Sequence, residues 1–115
     1  MKLDKPTSKE RLEHVLKAIN RIQSYAKNHT EASFLQDDQA LDASMYQFTI
    51  IAEAISNVEK DILDRYDYPW HKVKSFRNFI LHEYHAIELW VIWDTTQNLL
   101  PGLKELVERM LTKEF

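Results

Sequence analysis

Leu12, Val15, Leu16, Ile19, Ile22 and Ala26 recur at the three- and four-residue steps that place side chains on one face of a helix. Thr7 and Glu10 precede them with the spacing of a capping box, and Pro6 stands just outside it. The pattern predicts a first helix from near Thr7. Asn28, His29 and Thr30 interrupt it, so residues 28–38 read as a loop, with Phe34 and Leu35 pinning it to the core. Asp37 or Asp38 can cap a second helix. Its stripe of Leu41, Met45, Phe48, Ile51, Ala52, Ile55, Val58 and Ile62 predicts one long element. Tyr66 to Trp70 form an aromatic connection, in which Pro69 suits the first turn of a new helix. A third helix is expected from about Pro69 to Tyr84, with Val73, Phe76, Ile80 and Leu81 inward. A fourth follows from Ile87 through Leu89, Trp90, Ile92 and Trp93 to Leu100. Pro101 opens the last, with Leu103, Leu106, Val107, Met110 and Leu111 on its apolar side. The fold class is therefore all-α, an antiparallel bundle of four or five helices.

Composition agrees with this reading. The 115 residues fit one domain, 1–115, with its core at about 8–112. A single glycine and three prolines leave little chemistry for tight turns and hairpins. With no cysteine there is no disulfide scaffold and no thiolate metal site. No apolar run reaches the roughly 20 residues of a membrane helix, and the N-terminus has no signal-peptide core, so the expected location is the cytoplasm, away from membranes.

The net charge of −3 excludes nucleic-acid binding by bulk charge and leaves room only for a local basic patch. His71 to His85 supplies a candidate, with Lys72, Lys74 and Arg77 against a lone Glu83; on charge alone it reads as a solvated helix face. Within it, Arg77, His82 and Tyr84 carry groups suited to metal-independent RNA cleavage. A histidine titrates near neutral pH and can move a proton to or from a ribose or leaving oxygen. An arginine keeps its charge and can grip two phosphate oxygens. A tyrosine can donate to phosphate or stack on a base. On a continuous helix Arg77 and Tyr84 share a side, whereas His82 points well away. Either the helix ends near His82 and the tail curls back, or two copies meet across a two-fold axis, each supplying part of a site.

The order Arg77, four residues, His82, one residue, Tyr84 matches the signature of HEPN nucleases, and Asn78 completes that family's Arg-Asn pair. The stretch YQFTIIAEA from Tyr46 to Ala54, Pro69–Trp70 before the motif, HEYHAIELWVIW from His82 to Trp93, and Leu100–Pro101 at the last helix resemble the HepT-like branch over roughly residues 8–112. Ser75 departs from the glycine that relatives commonly carry. The resemblance implies a homodimer with the site at its interface and no cofactor. It also implies an endoribonuclease toxin in which Arg77 and His82 are catalytic and Asn78 is supporting. Its partner would be an antitoxin of the minimal-nucleotidyltransferase (MNT) type. Tyr84 matches a tyrosine that contacts RNA and that the antitoxin adenylylates in some family systems, which would add bulk and negative charge to the site.

Two rival readings stand beside it. One is a non-catalytic substrate-binding or interaction partner of a nucleotidyltransferase. The other is a transition-metal site built from His82, His85 and Glu88. Glu53 lies among Ile50, Ile51, Ala52 and Ile55; it is either partly buried with Arg77 or His82 as partner, or set at the stripe's edge in water. Trp70, Trp90 and Trp93 read as core, His14 and His29 as surface. The Asn28–His29–Thr30 acceptor pattern is taken as chance.

Overall fold

The computed structural model describes residues 4–82 and 88–115. Their helices are α1 (Ser8–Ala26), α2 (Glu31–Leu35), α3 (Asp38–Ser56), α4 (Lys60–Leu63), α5 (Trp70–His82), α6 (Trp90–Asn98) and α7 (Leu100–Glu114). Five are long and two are single turns, so the all-α bundle is present in the form the periodicity implies.

At the start of α1, the Thr7 hydroxyl accepts from the Glu10 amide at 3.1 Å, and the Glu10 carboxylate accepts from the Thr7 amide at 3.0 Å. Leu12, Val15, Ile19 and Ile22 are fully buried, each contributing about 1.5–3 kcal/mol by leaving water. The helix ends where Asn28 takes a φ of 70°, a left-handed conformation that asparagine tolerates better than most residues.

The expected loop at 28–38 contains α2. Thr30 and Ser33 cap one another reciprocally, the Thr30 hydroxyl accepting from the Ser33 amide at 3.2 Å and the Ser33 hydroxyl from the Thr30 amide at 2.9 Å. Phe34 is fully buried and Leu35 packs at the edge, so both pin the segment. Asp37 then caps α3 through the Ala40 amide at 3.0 Å.

Helix α3 stops at Ser56, short of the expected Ile62. The Ser56 hydroxyl donates to the Ala52 carbonyl at 2.8 Å, and the Asn57 amide group donates to the Glu53 carbonyl at 2.8 Å. Such side chains compete for the helix's own acceptors. Val58 and Ile62 stay buried because the chain turns and resumes in α4. The Glu59 amide donates to the Ser8 hydroxyl at 3.0 Å, which sets the end of α3 beside the start of α1 and makes the pair antiparallel.

Helix α1 packs against α3, α6 and α7, and α5 lies along α3. The Trp70 indole anchors α5 by donating to the Leu63 carbonyl at 3.0 Å. Trp70 and Ile80 are buried and Val73 and Phe76 half-buried, but Leu81, expected inward, is 45% exposed. One residue past Ile80 it lies about 100° around the helix, off the buried stripe. Helix α6 begins at Trp90, later than expected, with Leu89 and Trp90 exposed and Ile92 fully buried. Pro101 sits in the first turn of α7, which Leu100 opens. At the far end of α7, Glu114 accepts from the Tyr66 hydroxyl at 2.7 Å and pairs with Arg65. Among the described residues no helix is long and apolar enough to cross a membrane.

Candidate nucleic-acid interface around Arg77

Helix α5 presents Arg77 because its other side is taken up by aromatic packing. Phe76 meets Phe48 of α3 with ring centroids 5.1 Å apart, and Phe79 extends the cluster at 5.6 Å from Phe76. Arg77 stands one position beyond Phe76, on the flank that faces α3. Its Nε lies 3.7 Å from the Glu53 Oε2, with the two side chains 45% and 58% exposed. Glu53 is therefore at the edge of the α3 stripe and in water, and of its two expected partners it meets Arg77. The Asn57 amide group steadies it further, 3.4 Å from Oε1. An ion pair this exposed contributes no more than about 1 kcal/mol, so an arriving phosphate can displace the carboxylate.

Arg77 and Glu53 line a groove of about 320 Å3 between α1, α3 and α5, floored by Ile50, Ala54 and Leu81. Its far wall carries Arg11 and His14 of α1 and Tyr46 and Thr49 of α3. The motif reading missed Arg11 and Tyr46 as site residues and took His14 only as surface. The one local signal was that Arg11 and His14 share the flank of α1 beside the Leu12–Val15 stripe.

His82 is exposed and does not line this groove. Five residues after Arg77 on a helix, it lies about 140° around the axis and roughly 7.5 Å along it. Asn78, also exposed, points between the two. Within one chain, then, the fold joins Arg77 to Glu53 and leaves His82 on a different side of α5. Tyr84 lies outside the described residues, as do Glu83 and His85, so the His82–His85–Glu88 arrangement lies partly outside them. Among the described residues no cluster of three acidic or histidine side chains is placed to hold a metal.

Lys72 does not join Arg77 in one patch. Lys72 lies on the opposite flank, beside an apolar cavity of about 280 Å3 between α3, α5 and α7. Ser75 is exposed and donates to the Lys72 carbonyl at 3.1 Å, and α5 runs through it unbroken. His29, read as surface, is 22% exposed, its Nδ1 2.9 Å from the Ser33 hydroxyl and its Nε2 3.4 Å from Asp37. That cluster ties the end of α1 to the start of α3. Of the three tryptophans, Trp70 is core and Trp93 packs on Phe34 at 5.3 Å, whereas Trp90 is 49% exposed and donates to Glu88.

The candidate site is thus an exposed arginine and, five residues on, an exposed histidine on α5 of an all-helical bundle. The family model described as Ribonuclease HepT-like matches residues 15–110, and the chain belongs to that family. It is 29% identical over 101 residues to the gamma-glutamylcyclotransferase and "putative RNase" of Methanocaldococcus jannaschii, spanning 87% of this chain but only 46% of that protein. It is 28% identical to a "putative RNase" of Caldanaerobacter subterraneus, across 94% of this chain and 97% of the relative. It is 27% identical to a Thermococcus cleftensis protein named a "probable ribonuclease HepT", across 92% and 97%. No solved structure matches the chain.

Proposed function

We propose that this chain is a metal-independent endoribonuclease and the toxin of a toxin–antitoxin pair. The observation that carries the reading is the exposed Arg77–His82 pair on α5, in a chain of the HepT-like ribonuclease family. Arg77 binds the scissile phosphate and offsets the charge that builds on it. His82 takes the proton of the 2′-hydroxyl or supplies one to the departing 5′-oxygen. The 2′-oxygen attacks the adjacent phosphorus, the P–O5′ bond breaks, and a 2′,3′-cyclic phosphate remains on one fragment. No redox partner and no cofactor is needed.

The 140° between Arg77 and His82 supports a homodimer, because two α5 helices facing each other can bring one copy's arginine to the other's histidine. The antitoxin is a nucleotidyltransferase of the minimal (MNT) type, and Tyr84 is the residue it adenylylates. The chain works in the cytoplasm, where its RNA is.

The test is incubation of the purified chain with single-stranded RNA in EDTA, beside His82→Ala. The native chain is expected to leave cyclic-phosphate ends, and the variant to be slower by about 10²–10⁴-fold. His82 is exposed, so the variant keeps its fold. Equal cleavage by both proteins, or none by the native homodimer, would overturn the assignment. Stable binding to a nucleotidyltransferase without cleavage would favour the interaction-partner role.

A further inference from the structure

The groove beside Arg77 is larger than one phosphate requires. Its volume of about 320 Å3 falls at the low end of the range typical of small-molecule sites. Its lining has three properties that point to one kind of occupant. First, the charge is one-sided: Arg11 and Arg77 face a single carboxylate, Glu53, which Arg77 already neutralises, and His14 adds a hydrogen-bonding ring. Second, Arg11 lines the groove while its buried Nε has no hydrogen-bond partner, so the guanidinium is not held in place by a bond from that nitrogen. Third, Tyr46 is 64% exposed at the rim, the most exposed large hydrophobic side chain among the described residues, above a floor of Ile50, Ala54 and Leu81. Glu10 lies near enough to Arg11 and His14 to interact with both, but its carboxylate is engaged by the Thr7 amide in the α1 cap.

A cation and a histidine on one wall, an apolar floor and an exposed aromatic ring match a nucleotide unit with its phosphate, sugar and base. We infer that the groove between α1, α3 and α5 is a subsite for the nucleotide next to the scissile phosphate, with Tyr46 stacking on its base and Arg11 and His14 holding its phosphate. The inference rests on the ribonuclease reading for the position of the scissile phosphate at Arg77. It adds an RNA path that leaves α5 and crosses α3 onto α1. Stacking and phosphate contacts read no base edge, so the subsite sets affinity for single strands rather than a sequence preference.

The experiment uses the full chain carrying His82→Ala, so that bound RNA stays intact. The probe is a fluorescein-labelled single strand of about eight nucleotides, within the usual span of a single-strand site. Binding is read by anisotropy across a salt series, and the oligomeric state of every variant by sedimentation. Tyr46→Ala is expected to weaken binding by about 5- to 150-fold, while Tyr46→Phe, which keeps the ring, stays near the parent. Arg11→Gln is expected to reduce the slope of log affinity against log salt by about 0.7, one phosphate contact on a single strand. The inference is overturned if the parent does not bind the strand, if Tyr46→Ala and Arg11→Gln bind as the parent does, or if Tyr46→Ala dissociates a dimer. The last result would mean that a second copy covers the groove. Weaker binding by these variants, with no cleavage by the native chain, keeps the subsite and removes the nuclease assignment. Cleavage by the native chain with unchanged binding in the variants does the reverse.

Discussion

Arg77 on α5 and Glu53 on α3 face each other where the two helices pack, Nε and Oε2 3.7 Å apart. The separation is too long for a strong hydrogen bond and short enough for the charges to attract. Glu53 thus holds the guanidinium near one orientation without consuming its donors. In the proposed reaction it is a positioning residue.

Glu53→Gln separates these two effects. Without the carboxylate, Arg77 carries more uncompensated charge toward RNA, so KM is expected to fall several-fold. The same change loosens the guanidinium, so kcat falls as well. Because the pair is exposed, stability changes by less than about 1 kcal/mol. Steady-state cleavage of a labelled RNA gives both constants, and unchanged values for both would remove Glu53 from the site.

Ser44 is fully buried in α3, and its hydroxyl has no partner. An unpaired buried hydroxyl costs about 1–3 kcal/mol, and alanine is the better helix former. Ser44→Ala is therefore expected to stabilise the protein by about 1 kcal/mol. The urea midpoint should rise with the slope unchanged. A lower midpoint would show that the hydroxyl is satisfied after all.

Glu114 ties the end of α7 to the connection before α5. The hydrogen bond from the Tyr66 hydroxyl holds its carboxyl below the ordinary carboxylate value, against a smaller opposing effect of burial, and Arg65 adds to the lowering. Burial and then Glu114 itself push the Tyr66 hydroxyl up, so it remains a donor at neutral pH. A carboxyl depressed in the folded state contributes stability that is present above its unfolded value near 4.5 and is lost as pH falls through the folded one. Urea titrations from pH 6 down to pH 3 should therefore show a shallower loss for Glu114→Gln than for the native chain. Identical pH dependence would mean that the contact does not persist in solution.

The helices were legible to the extent that their signals were local. The Thr7–Glu10 cap, the stripe of α1 and the Asp37 cap of α3 all lie within a few residues of what they specify. The misjudged places were those where two local signals competed. Ser56 and Asn57 end α3 although the apolar spacing runs on to Ile62, and Thr30 with Ser33 builds a turn of helix inside an expected loop. Leu81 satisfied the apolar pattern of α5 and still faces the groove, because a pattern does not say how far around a helix the neighbouring elements reach.

The sequence by itself determined the helical class and marked Arg77, Asn78, His82 and Tyr84, since a spacing along one chain is a local property. It also narrowed Glu53 to two environments. Only the tertiary structure decided between them, and only it placed Arg11, His14 and Tyr46 beside Arg77. The physical reason is that the rotation of each helix about its axis is set by packing: Phe76 on Phe48 and Trp70 under Leu63 turn α5 until Arg77 meets Glu53 and His82 turns away.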